Sequence, residues 1–595
     1  MTAAKLIDNA IYVAGLVVIV STIYVHGQEP IVNTRNGQLR GTRRDLFNGN
    51  VDSFLGIPYA NPPVGELRFK VTEPYLRPWE GVRDATEFSN ACSQVPVQSD
   101  FRGETMWDVN APISEDCLYL NVWSPFPTPS KAAVMVWIPG GGLTSGASSV
   151  DLYDGATLAD AEQVIVVSIN YRLGVLGFLA LRDTQAPGNM GFLDQAMALQ
   201  WVADNIDYFG GDPERVTIFG ESAGAISVGV HLFSSQNLFR RAILQSGNVF
   251  FPESIVTYDR SEKLALTMTD NLGCGLNYLS NETVDNTKIL ECFNSKSTEE
   301  IVLAQYVDDV RIPTPGVVDG TFLKDSPLNL LKDGLYESTE ILIGDNLNEG
   351  TWFLPYMAPQ YFSLDQKPIL NHTTFEEFIE FYFSMANALT HAAISFEYTN
   401  WLEPENSADL VAGASDVVGD FLITCPTDET AKLYSQYGND VYRYLFSELA
   451  SNTPWLDWYG VLHGDEIPFV FGTPLYPENG FSDSEKVLSR EMMKYWANFA
   501  KTGNPNKESD DDVSDNAWPR FDLEEQQYII FETPDNGIGQ KLKSRKCAFW
   551  RDLYPKVKDA TAEQRSIDDP VTCFGQCVQY TLVTLLITSV VSMVL

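Results

Sequence analysis

Four short apolar runs restrict the fold of this chain more than any other feature: Ala133-Val-Met-Val-Trp-Ile138, Val164-Ile-Val-Val-Ser-Ile169, Val216-Thr-Ile-Phe219 and Ile341-Leu-Ile343. A strand with one wet face alternates polar and apolar residues, whereas a continuous run is buried on both faces, as inside a parallel sheet. Segments with helical patterning, such as 191–205 and 223–233, lie between the runs. Strands alternating with helices predict an α/β fold, a large, mostly parallel open sheet flanked by helices. Ligands in such sheets bind outside the carboxyl ends of the strands. No internal repeat or Gly/Ser/Pro linker divides residues 28–555, so they read as one catalytic domain, with the charged run 509–515 as a surface loop.

The 595 residues carry a formal charge of −39. That excludes a nucleic-acid partner, which needs clustered Lys and Arg, and sets up a field that attracts cations. Residues 1–27 read as an export signal: Lys5, an apolar stretch over 10–24, then Val25-His26-Gly27 before Gln28. An uncleaved anchor helix is the competing reading. Asn281-Glu-Thr and Asn371-His-Thr are glycosylation sequons. Eight cysteines in an oxidising compartment should pair. Spacing suggests Cys92–Cys117, Cys274–Cys292 and Cys425–Cys547 without proving them, and leaves Cys573 and Cys577. A polar spacer, 556–577, precedes a hydrophobic tail, 578–595, too short to span comfortably. The tail reads as a signal for a glycosylphosphatidylinositol (GPI) anchor, with a tail-anchored helix or a soluble or disulfide-linked form as alternatives.

Gly220-x-Ser222-x-Gly224 follows one apolar run and precedes a helical segment, the strand–turn–helix setting of a nucleophilic serine. Gly140-Gly141-Gly142 follows another run, where adjacent glycines can aim backbone N–H groups at an oxyanion, joined by the N–H of Ala223. The base must be one of five histidines. His26 lies in the export signal, His231 is too close to Ser222 in the chain, His372 lies in a sequon and His391 is a weak rival. His463, before Gly464, is the candidate base, and Glu349, after Ile341-Leu-Ile343, the candidate orienting acid, in the chain order Ser, Glu, His.

These motifs, with Phe54-Leu-Gly-Ile-Pro-Tyr-Ala, Ser114-Glu-Asp-Cys-Leu-Tyr-Leu-Asn121, Trp137-Ile-Pro-Gly-Gly-Gly, Leu244-Gln-Ser-Gly247 and Val461-Leu-His-Gly464, resemble the cholinesterases, within the type-B carboxylesterases of the α/β-hydrolase fold. The resemblance implies Ser222, Glu349 and His463 as the triad and Gly141, Gly142 and Ala223 as oxyanion donors. It also implies the three disulfides, a site in a deep gorge, a homodimer and no metal or organic cofactor. Glu221 would assist a cationic site and Ser246 support it from behind. Trp107 matches the tryptophan on which choline stacks, with Trp352, Phe353, Tyr356, Tyr153 and Trp455 lining the approach. The implied substrates are choline esters; with the export signal and the tail, the expected location is outside the cell, on the outer face of its membrane, the synapse included. The alternatives are a general carboxylesterase and a non-catalytic adhesion protein of the same fold. Three departures stand out. Val310 and Ile312 replace acyl-pocket phenylalanines before Val317-Val-Asp-Gly, which leaves room for longer acyl chains. Glu253 replaces a pocket tryptophan and is expected to turn away, because an unpaired buried carboxylate is costly. Two residues are missing between Cys92 and Trp107, so the rim aspartate has no certain counterpart.

Overall fold

The computed structural model describes residues 29–234, 237–276, 285–307, 312–509 and 517–559. The export segment, Asn281, Val310, most of the charged run and the tail with Cys573 and Cys577 lie outside them. The strands of the main sheet are β1 (Thr42–Asp45), β2 (Asn50–Pro58), β3 (Tyr119–Phe126), β4 (Ala132–Ile138), β5 (Ile165–Ile169), β6 (Gly211–Glu221), β7 (Arg241–Gln245), β8 (Ile341–Asn346), β9 (Val441–Phe446), β10 (Gln527–Phe531) and β11 (Gly537–Gln540). Among the described residues this sheet has eleven strands, ordered β11-β10-β9-β8-β7-β6-β4-β5-β3-β2-β1. From β5 to β10 neighbours run parallel; β3, β2, β1 and β11 add antiparallel edges.

The continuous runs are buried on both faces, as expected. Every residue of β4 is buried. Val134, Val136 and Ile138 enter the core on one side of the sheet, and Ala133, Met135 and Trp137 the core on the other. Each fully buried Val, Leu or Ile contributes about 1.5–3 kcal/mol. The helices Met190–Asn205, Ala223–His231 and Asp483–Thr502 help cover the two faces. β4 leads to β5 on one side, while β6 lies on its other side, so the strand order reverses there. Phe219 pairs with Trp137 and Gly220 with Ile138. That register brings the carboxyl ends of β4 and β6, and hence the glycine run and Ser222, side by side.

The structure forms Cys92–Cys117, Cys274–Cys292 and Cys425–Cys547. No helix among the described residues is long and apolar enough to cross a membrane.

Candidate active site

Ser222 occupies the turn between β6 and the Ala223–His231 helix, at φ 56° and ψ −124°. This conformation is unfavourable for a residue with a Cβ and persists only where the surroundings impose it. Here the Ser222 N–H donates to the Gln245 carbonyl, and the Ser222 carbonyl accepts from the Ile226 N–H, both at 2.9 Å. The turn closes only because its flanks are glycine. A Cβ on Gly224 would lie 2.0 Å from the Ile138 carbonyl oxygen, and one on Gly220 would lie 2.6 Å from the Gly224 carbonyl carbon. The serine is thus held half-buried at the carboxyl end of the sheet. Gly141 and Gly142, at φ 112° and 62°, make the turn after β4, and Ala223 starts a helix, where N–H groups lack intrahelical acceptors.

His463 lies on the loop before the Ile467–Val470 helix, with its Nδ1 2.6 Å from Glu349 Oε2. The other oxygen, Oε1, accepts the Asn346 N–H at 2.6 Å, so the end of β8 fixes the carboxylate. With Nδ1–H given to Glu349, Nε2 is the basic nitrogen. It lies 3.1 Å from Glu221 Oε1, an ion-pair approach without hydrogen-bond alignment. Burial opposes charge on the imidazole, but Glu221 and Glu349 outweigh it and raise its pKa to about 9. Burial pushes Glu221 up to about 8, against the pull of the imidazolium.

The aromatic residues form a wall around this centre. Trp107 and Trp352 meet edge to face at 6.5 Å, and Trp352 touches Trp455 and Tyr356, both at 5.4 Å. The Phe353 ring lies 5.0 Å from the His463 ring. A Cβ on Gly464 would lie 3.0 Å from Trp107 and 3.8 Å from Glu221 Oε1, so indole and carboxylate converge on the residue after the histidine. Tyr356 is 45% exposed and donates to Glu104 Oε1 at 2.8 Å.

Tyr153 is packed in the core against Trp137 and Phe471, at 5.1 and 6.0 Å, where burial and then the charge of Glu221 raise its pKa. Ile312 is buried, and Glu253 is exposed as expected. Ser246 is fully buried beside the site, and a Cβ on neighbouring Gly247 would meet the Ser222 carbonyl at 2.4 Å. The other histidines among the described residues, His231, His372 and His391, sit elsewhere. His231 is buried on Gln195 at 2.9 Å, with its pKa lowered to about 4 by burial, and His391 contacts the Phe383 carbonyl at 2.9 Å. Sequence reasoning missed Glu466. It is fully buried and accepts from Gln245 Nε2 at 3.0 Å and Asn346 Nδ2 at 2.7 Å, which ties β7 and β8 to the histidine loop. A charge entering an apolar run three residues after His463 was its only signal.

Residues 28–550 match the carboxylesterase family. The chain belongs to that family. It is a carboxylic ester hydrolase of the α/β-hydrolase fold. This carboxylesterase is 42% identical over 540 residues to the acetylcholinesterase of Bungarus fasciatus, covering 89% of this chain and 87% of that protein. It is 42% identical over 543 residues to the cholinesterase of Mus musculus, covering 90% and 88%. It is 41% identical over 586 residues to the acetylcholinesterase of Electrophorus electricus, covering 91% and 90%.

The electrostatics of the site give this carboxylesterase a testable pH dependence. A general base works deprotonated, so kcat/KM should rise with pH through the titration of His463. Glu221→Gln removes one of the carboxylates that favour the imidazolium, so the histidine pKa should fall. The acid limb of kcat/KM for a neutral ester should therefore move to lower pH. An unmoved limb would show that Glu221 does not act on His463.

Proposed function

We propose that this carboxylesterase hydrolyses choline esters through an acyl-enzyme on Ser222. The observation that carries the reading is the convergence of Trp107 and Glu221 beside His463-Gly464. A quaternary ammonium has no N–H to donate; it is held by an aromatic face, with a neighbouring carboxylate to balance its charge. Such a group bound there would offset Glu221 and lower the His463 pKa, so the substrate itself releases the base. His463 then takes the proton of Ser222 as its oxygen attacks the ester carbonyl. The N–H groups of Gly141, Gly142 and Ala223 hold the oxyanion, and Glu349 balances the imidazolium. His463 returns the proton to the departing choline oxygen. It next activates water, which cleaves the acyl-enzyme. The smaller Val310 and Ile312 favour acceptance of butyryl as well as acetyl groups.

The test is a panel of acetyl-, propionyl- and butyrylthiocholine against a neutral aryl ester, with Trp107→Ala. A desolvated cation–π contact is worth about 2 kcal/mol or more, so kcat/KM for the thiocholine esters should fall at least about 30-fold. The aryl ester should change little. Equal loss on both substrate classes, or no choline preference in the parent enzyme, would instead make this a general carboxylesterase.

Export after residue 27 is also part of the reading, supported by the apolar first segment and by disulfides, which persist in oxidising compartments. Asn371 fits glycosylation: it is exposed, and its side-chain oxygen caps the His372–Tyr382 helix. A GPI anchor rests on the sequence of the tail, and release by a phosphatidylinositol-specific phospholipase tests it. A homodimer rests on the resemblance, and sedimentation equilibrium tests that.

A further inference from the structure

Behind the aromatic wall lies a cavity of about 250 Å³. Two of its lining residues adjoin the site already described. Trp455 stands against Trp352, and Asp465 is the second residue after His463. Phe469 and Phe481, 5.6 Å apart in edge-to-face contact, supply apolar lining. The volume falls just below the range of about 300–1,000 Å³ that takes drug-sized ligands, so the space suits a single-ring molecule.

The charges on the lining decide which kind. Asp154 is engaged by Arg44 through two bonds, both 2.7 Å. Asp151 is exposed and accepts from Asn110 at 2.6 Å, and Arg102 is also exposed. Asp465 accepts the Leu462 N–H through Oδ2 alone, at 2.9 Å, which leaves Oδ1 for a ligand. Two carboxyl groups without a cationic partner among the described residues, Asp151 and Asp465, and one guanidinium therefore line an aromatic cavity, in a protein of net charge −39. Burial pushes the Asp465 carboxyl up to about 8, with Glu466 and Glu349 adding to the rise. A bound ammonium beside it would favour the ionised carboxylate and pair with it.

We propose that this cavity is a second ligand site, for a small protonated aromatic amine. Its ammonium meets Asp465, and its ring lies among Trp455, Phe469 and Phe481. The occupant touches the histidine loop through Asp465 and the aromatic wall through Trp455, so it acts on ester turnover without occupying the place of the substrate. Inhibition is of mixed type, with kcat lowered.

The probe is 2-phenylethylammonium, with 2-phenylethanol as its uncharged counterpart, measured by titration calorimetry on the whole enzyme. Saturating tetramethylammonium fills the choline site first, and its own binding reports separately on the choline-ester reading. One further equivalent of 2-phenylethylammonium should then bind, at least about tenfold tighter than the alcohol. Asp465→Asn should weaken that binding at least about tenfold. Ala450→Phe, which fills the cavity and changes no charge, should abolish it while turnover of a neutral ester confirms a folded enzyme. No second equivalent, equal affinity for amine and alcohol, or binding unchanged in both variants would overturn the proposal.

Discussion

Ser222→Ala should lower kcat for every ester by about a millionfold, the scale on which a lost nucleophile acts when the rest of its machinery stays in place. The alanine keeps the Cβ, so it inherits the same φ 56° turn without new strain. The bonds that impose the turn come from backbone groups, the Gln245 carbonyl and the Ile226 N–H, and do not depend on the hydroxyl. Trp107 and Glu221 also stay where they are. Tetramethylammonium should therefore bind the variant as tightly as the parent while turnover disappears. Some acceleration over water, about 10³–10⁴-fold, should survive, because the oxyanion donors and substrate positioning remain. The measurement is kcat in purified protein, together with stoichiometric labelling by an organophosphate. Labelling of the variant, or turnover above about 1% of the parent, would remove Ser222 from the nucleophile's role.

The parts of the fold legible in the sequence are those where one interaction dominates. β4, β5 and the first half of β8 are continuous apolar runs, and burial on both faces is the only stable use for them. β6 is under-read, because it begins with the polar stretch Gly211-Asp-Pro-Glu-Arg215. β9 is not legible as a strand, since Val441-Tyr-Arg-Tyr-Leu-Phe446 carries a charge at its centre. Arg443 is nevertheless completely buried, with Asp428 at 2.7 Å and Asp345 at 3.5 Å as counter-ions. Those partners come from other elements, and no local pattern announces them. The site divides in the same way. Ser222 between its glycines, the glycine run and a histidine in the right chain order are forced by chemistry and can be read one segment at a time. Tyr153 and Glu466 cannot. Which side of the sheet a tyrosine enters, and whether a glutamate finds Gln245 and Asn346, are settled only when β7, β8 and the histidine loop meet.

Glu349→Gln should reduce kcat about 10⁴-fold while leaving the fold and tetramethylammonium binding intact, because the change is isosteric and acts on the tautomer of His463. In the parent the two carboxylate oxygens have separate duties: Oε1 accepts the Asn346 N–H and Oε2 faces His463 Nδ1, both at 2.6 Å. An amide has only one acceptor oxygen. The buried Asn346 N–H requires an acceptor, so the amide oxygen stays there and the NH₂ group turns toward Nδ1. A donor facing Nδ1 forces the ring proton onto Nε2, and Nε2 is the atom that must accept the proton of Ser222. The negative charge that steadies the imidazolium is lost as well, and Glu221, on the Nε2 side, replaces that charge without restoring the tautomer. Glu349→Asp keeps the charge and both acceptors on a shorter arm and should lose far less than the amide. Nitrogen NMR of the imidazole distinguishes the causes: the resting neutral ring should carry its proton on Nε2 in Glu349→Gln and on Nδ1 in the parent. A loss of less than about 100-fold, or an unchanged tautomer, would show that something other than Glu349 orients the base.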